Sequence, residues 1–217
     1  MMNQAKHRIQ IWDLPIRLFH WCLVILVGAL FVTASLGALD AHALAGKGVL
    51  ALVIFRLIWG VVGSQTARFS DFLGGFTAIR QYLVYRQSKS LGHNPLGGWM
   101  VVAMLAVLLI QAGTGLLAND GILFQGPLAH SVSQSLSDVA SSAHRGLANW
   151  LGGLIAIHMT AILLYWFVGR ENLVGPMFTG KKWVTAPVKP AQFVSLILAA
   201  AIQCVVLLAT AASLTVH

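Results

Sequence analysis

"HRGLANWLGGLIAIHM", His144 to Met159, carries two histidines 14 residues apart in a run whose only other ionisable residue is Arg145. Fourteen residues is close to four helical turns, so His144 and His158 share a face, about 21 Å apart along the axis at 1.5 Å per residue. The run belongs to an apolar stretch long enough to cross a bilayer, where an imidazole is costly unless something uses it. Two such residues at opposite depths of one helix call for partners on other helices.

The composition points to a membrane setting. The chain has 217 residues, 58% apolar and 9% charged; soluble domains average about 45–50% apolar and ~25% charged. Five runs, at about 15–37, 41–63, 96–118, 141–168 and 191–214, each approach the ~20 apolar residues that a membrane helix needs. The longest piece between them, about 64–95, is too short for a core of its own. The expected fold is all-α: a four-helix transmembrane bundle within residues 1–182, then a linker and a fifth transmembrane helix within 183–217. Asp13 and Pro15 suit the cap and first turn of the first helix. No small-residue cleavage site follows that run, so it reads as a retained helix rather than a signal peptide.

The formal net charge is +8. Five crossings place Lys6, Arg8, Arg17, Arg68, Arg80, Arg86, Lys89, Arg170, Lys181, Lys182 and Lys189 on one side. Lys47 and Arg145 mark the other side, and Arg56 lies within the second run. The positive-inside rule then sets the N-terminus in the cytoplasm and the C-terminus in the periplasm of a bacterial inner membrane. The basic charge therefore reads as topology in membrane lipid, and no nucleic-acid partner is expected. Cys22 and Cys204 lie within runs and outside any C-x-x-C-H motif, so covalent haem attachment is not indicated. The segment "FLGGFTAIRQYLVYRQ", Phe72 to Gln87, reads equally well as a short surface helix or as a polar loop.

Of eight histidines, His7, His93, His130 and His217 fall in tails or loops, where solvation is expected. His20, His42, His144 and His158 fall in or at the runs. Helix direction sorts these by depth: His42 with His144 near the outer surface, His20 with His158 near the inner one. Facing imidazoles suit the two axial positions of a haem iron. Zinc or a proton relay are the alternatives, and zinc prefers sets of three or four close ligands. Arg56 follows His42 by 14 residues, on the same face and level with the inner pair. A buried arginine needs an anion, and haem propionates would serve. Gly46, one turn after His42, admits either a porphyrin or close helix packing; Gly113 and Gly115 carry the same two readings. Asp13, Arg17, Arg56 and Trp59 gather a proton carrier, cations and an aromatic face at the inner end, which is where a quinone site is expected. Each also has a plainer reading: helix cap, propionate partners and interfacial belt residue.

Several stretches taken together, "WDLPIRLFHW", "HALAGKGVLALVIFRLIWGVVG", "GHNPLGGWMVVAMLAVLLIQAGTGL", "HRGLANWLGGLIAIHM" and "RENLVGPMFTGKK", resemble the prokaryotic cytochrome b561 family. That family includes the cytochrome b subunits of membrane-bound nickel–iron hydrogenases. The resemblance covers about residues 11–182. It implies two b-type haems in a four-helix core, with axial ligands at His20, His42, His144 and His158 and a propionate-side role for Arg56. The loop between the first two runs is much shorter than in hydrogenase subunits. The fifth run lies beyond the family core and has no histidine or charge, so packing or assembly is expected of it.

The function expected from this reading is transmembrane electron transfer between the quinone pool and a periplasmic redox protein, such as a c-type cytochrome, a dehydrogenase or a hydrogenase. A homodimer is compatible with it. Two competitors remain at this stage: a stand-alone superoxide:quinone oxidoreductase and a non-redox transporter that uses its histidines for protons or metal.

Overall fold

The computed structural model describes residues 7–85, 90–122, 124–184 and 189–213; Lys6, Arg86, Lys89 and His217 lie outside the described residues. In chain order the elements are β1 (His7–Gln10), α1 (Leu14–Ser35), α2 (Leu39–Val62), α3 (Phe69–Phe72), α4 (Phe76–Tyr85), α5 (Pro95–Leu117), α6 (Gln134–Phe167), α7 (Val174–Thr179), β2 (Lys181–Val184) and α8 (Leu196–Ser213). Helices α1, α2, α5, α6 and α8 are long and apolar enough to cross a membrane. The protein is an all-α, multi-pass membrane protein.

Side-chain caps set the helix starts. Asp13 accepts from the Ile16 N–H (2.9 Å), and Pro15 follows in the first turn of α1. Asn94 accepts from the Gly97 N–H (2.8 Å) ahead of Pro95 in α5. A prolyl nitrogen in the first turn forfeits no hydrogen bond. Gly37, at φ +67°, lets the chain reverse between α1 and α2 in three residues, 36–38.

Helix α2 is the centre of the bundle. It packs on α1, α5 and α8, and Val53 and Trp59 are fully enclosed. Leu105 and Leu108 of α5, Leu151 of α6 and Ala199 of α8 complete the buried core. Helix α6 packs along α5 without extensive contact to α1 or α2. The helices that carry His20 and His158 thus do not seal against each other.

Three features differ from the sequence reading. Helix α6 begins at Gln134 rather than near 141, because Ser133 caps it and because Ser137 and Ser141 tie its first turns to the preceding loop. The Ser137 hydroxyl donates to the Leu117 carbonyl (2.6 Å), and the Ser141 hydroxyl donates to the Asn119 carbonyl (2.9 Å). The last helix begins at Leu196 rather than near 191, because residues 191–195 bond sideways to the turn after α2. There the Gln65 N–H donates to the Gln192 carbonyl (2.9 Å), and the Val194 N–H donates to the Ser64 hydroxyl (3.1 Å). Backbone groups satisfied that way have no need of a helix. The third difference is the unforeseen antiparallel pair β1–β2, with His7 opposite Val184 and the Arg8 guanidinium 5.4 Å above the Trp183 ring.

Of the two readings of the segment after Phe72, the structure takes the helix, α4. Ala78, Ile79 and Tyr82 turn inward, and the Tyr82 hydroxyl meets that of Tyr165. Phe76 and Leu83 stay exposed on the other flank. The contacts β1–β2, Gln65–Gln192 and Asn94–Tyr165 gather the chain start, the end of α2, the start of α5, the end of α6 and the start of α8 at one pole. Arg8, Arg17, Arg68, Arg170, Lys181 and Lys182 belong to this basic pole, and Lys47 and Arg145 to the far one.

Candidate functional site

At the far pole, α2 presents His42 and α6 presents His144. Their ring centroids are 6.0 Å apart and their planes nearly perpendicular, at 82°. Both rings are oriented from behind by the backbone of a neighbouring helix. His42 Nδ1 is 3.1 Å from the Leu30 carbonyl of α1, and His144 Nδ1 is 2.9 Å from the Gln111 carbonyl of α5. A carbonyl only accepts, so each Nδ1 carries the proton and each Nε2 keeps its lone pair, which at His144 accepts from the Gln111 side-chain amide (3.3 Å). The Nδ1 bond is the one that fixes the tautomer and orientation of a metal-binding imidazole.

The two supports are built alike. Thr33 follows Leu30 by three residues, and Thr114 follows Gln111 by three. Each hydroxyl donates to carbonyls of its own helix: Thr33 to Ala29 (2.7 Å) and Leu30 (3.2 Å), Thr114 to Ile110 (2.8 Å) and Gln111 (3.0 Å). Each also lies 3.4 Å from the adjacent histidine Nδ1. Such back-bonding bends a helix slightly, and the Leu30 and Gln111 carbonyls that receive it are the ones that meet the rings. The sequence reading passed over both threonines; a threonine three residues beyond a carbonyl that meets a histidine is visible only once helix pairing is known. Gly115 is a close approach. A Cβ there would stand 2.9 Å from His144 Cε1, so any side chain would press the ring out of place. Gly46 and Gly113 are different: a Cβ on either would meet no atom within 4 Å, so tight helix packing is not their role.

At the basic pole, His20 stands edge-on to Trp21 (4.9 Å, 89°), and its Nδ1 is buried without a hydrogen-bond partner. His158, on α6, lies seven residues before Tyr165, whose hydroxyl accepts from the Asn94 amide at this pole. Arg56 is 2% exposed, with its guanidinium carbon 4.8 Å above the Phe69 ring and 5.9 Å above that of Phe72. One of its terminal nitrogens, Nη1, has no partner, and neither has the buried Nε of Arg17. Among the described residues no carboxylate forms a salt bridge with either arginine. Gly180, at φ +75°, passes close to Arg17: a Cβ there would stand 2.7 Å from Arg17 Nη1, and its carbonyl accepts from the Ile11 (2.8 Å) and Trp12 (3.1 Å) N–H groups.

Asp13 and Trp59 occupy the same region as a bonded pair. The Trp59 indole N–H donates to Asp13 Oδ2 (2.9 Å), while Asp13 Oδ1 caps α1. Trp59 is completely buried and stacked on Phe55 (5.8 Å, 14°), so it is no interfacial belt residue.

His93 corrects the expectation of a solvated loop imidazole. Its ring lies between Trp12 (4.6 Å) and Phe72 (4.7 Å), and its Nδ1 is buried without a partner. Burial first, and then the charges of Arg56, His158 and His20, push its pKa down to about 3. Arg56 lies over the same Phe72 ring that packs on His93.

This arrangement fits haem. Two imidazoles on one iron stand with centroids about 6 Å apart, at about 2 Å per metal–nitrogen bond, which matches the far pair. Orphaned guanidinium nitrogens at the basic pole fit carboxylates. Zinc is not supported, since among the described residues no group of three or more His, Cys, Asp or Glu could hold a metal ion. Neither a curated protein nor a solved structure is significantly similar to the chain. The family model for prokaryotic cytochrome b561 matches residues 11–180, a stretch that takes in the four histidines of the spans and both supports. The chain therefore belongs to the prokaryotic cytochrome b561 family and is a membrane b-type cytochrome of electron transfer.

Proposed function

We propose that the protein is a di-haem relay carrying electrons across the bacterial inner membrane between quinone and a periplasmic redox protein. The observation that carries this reading is the far pair: His42 and His144 at 6.0 Å, each with its Nδ1 fixed by a carbonyl of the next helix. His20 and His158 are the second pair. Two bound haems, one near each face, would supply one-electron couples that span the bilayer, with both axial positions filled and so closed to oxygen.

The residues divide the remaining work. His42 and His144 would hold one haem iron through Nε2, and the Leu30 and Gln111 carbonyls keep those nitrogens unprotonated by taking the proton on Nδ1. Arg56 and Arg17 offer buried guanidinium nitrogens to propionates, which would balance cations that otherwise have no salt-bridge partner among the described residues. Gly46 leaves the face beside His42 open. Quinone exchange belongs at the basic pole, the cytoplasmic one by the positive-inside rule. Asp13 and Trp59 contribute there by fixing the wall through their mutual bond, and direct contact with quinone falls to exposed neighbours. A superoxide-oxidising role draws no support from the far pole, where the cleft beside Arg145 is also lined by Asp120 and Asp138; two carboxylates beside one guanidinium do not attract an anion.

The test is anaerobic mixing of the oxidised, purified protein with a short-chain quinol. Reduction of the b-type absorbance within seconds is the expected result. A chemically reducible protein that quinol leaves oxidised would remove quinone from the proposal.

A further inference from the structure

We propose that His93 is a cofactor-binding residue at the basic pole, donating a hydrogen bond from its imidazole to a propionate carboxylate of the haem held between His20 and His158. This rests on the di-haem reading above and adds to it a residue outside the four paired histidines.

The first support is an unmade hydrogen bond. Nδ1 of His93 is buried and has no partner, although the ring is firmly placed. Aromatic rings pack against it, Trp12 edge-on at 62° and Phe72 tilted at 49° to its plane. Neither ring offers a hydrogen-bond acceptor in the imidazole plane. Folded proteins seldom leave a buried ring nitrogen unpaired, so an acceptor from a bound group is called for.

The second support is the way the chain delivers the ring. Gly92 passes so close to Trp12 that a Cβ would stand 2.7 Å from the indole. Asn94 then caps α5 and donates to the Tyr165 hydroxyl of α6 (2.8 Å). Tyr165 lies two turns beyond His158 on the same helix. His93 is therefore clamped from both sides against the end of the helix that carries His158. A merely solvated loop residue would need no such clamp.

The third support is charge. Arg17 Nε and Arg56 Nη1 are also buried without partners, and Arg56 lies over the same Phe72 ring that packs on His93. Two guanidinium groups and one imidazole N–H form a set of donors with no acceptor among them. That set complements a carboxylate better than the neutral carbonyl of a quinone. The imidazole is neutral, so it serves as a single directed donor and not as a third cation.

The experiment is a redox titration of the purified holoprotein with His93→Phe and His93→Gln. Phenylalanine keeps the aromatic packing and removes the donor; glutamine restores a donor. Both variants should keep two haems, because the axial histidines are untouched. In H93F the potential of one haem should fall by a three- to tenfold change in its reduction equilibrium, about 30–60 mV for one electron, since a less compensated propionate favours the ferric state. H93Q should recover most of that shift, and the other haem should not move. Redox-difference infrared spectra give a second readout: the propionate carboxylate bands should shift between wild type and H93Q. Identical bands would overturn the proposal even if H93F failed to assemble. Wild-type potentials in H93F would overturn it too, and weakened reduction by quinol in that same protein would assign His93 to quinone instead. A single haem in the wild-type protein would place the failure in the di-haem reading, not in His93.

Discussion

Replacing His158 with alanine should leave a protein that holds one haem, with the far-pole spectral component intact and the other gone. Haem content should fall to half. The far pair does not depend on position 158: His42 and His144 are oriented by Leu30 and Gln111 carbonyls, four turns away along α6. His20→Ala should lose the same component as His158→Ala. His42→Ala and His144→Ala should lose the opposite one and retain the basic-pole haem. Low-temperature absorption spectra of the four reduced variants check this directly. Loss of one shared component from His20→Ala and His144→Ala would break the pairing that helix direction and the 14-residue rise impose.

The largest expected effect on stability lies at Asp13. Its carboxylate is 3% exposed and makes two bonds, to the Ile16 N–H and the Trp59 indole, both 2.9 Å. Asp13→Ala removes a helix cap, about 1 kcal/mol, and leaves a fully buried indole donor unpaired, about 1–3 kcal/mol. Together these should cost roughly 2–4 kcal/mol and loosen the start of α1 from the end of α2. Asp13→Asn separates the two effects. Asparagine caps as well as aspartate does, but turning its oxygen to Ile16 leaves its amide donor facing the indole donor. It should therefore recover only the cap. Thermal denaturation in detergent, followed by tryptophan fluorescence, should order the proteins wild type, Asp13→Asn, Asp13→Ala. Equal stability of all three would show that the Trp59 bond contributes nothing.

The spans and their order were legible because they rest on composition, which needs no knowledge of partners. The depth pairing of the histidines needed only helix direction and rise, and the rings of His42 and His144 do meet. What escaped depended on contacts between distant parts of the chain. Strands β1 and β2 have four residues each and meet across more than 160 residues, and no local periodicity announces such a pair. Residues 191–195 are apolar enough to read as helix, but Ser64 and Gln65 take their backbone bonds. His93 looked solvated because its loop is short and polar. The walls around its ring, Trp12 and Phe72, come from other segments. One local signal was there: Asn94–Pro95 reads as a helix cap and first turn, which sets residue 93 at a fixed helix entrance rather than in a free loop. The plainer reading of Trp59 as a belt residue fails for a related reason. Its position near the end of a span suits the belt, yet Asp13 offers its indole a buried acceptor.

The measurement that bears most directly on the whole account is the haem b content per chain of haem-saturated, purified protein, by the pyridine haemochrome method. The di-haem proposal predicts two haems per chain. One haem per chain, with all four histidines in place, would contradict the account.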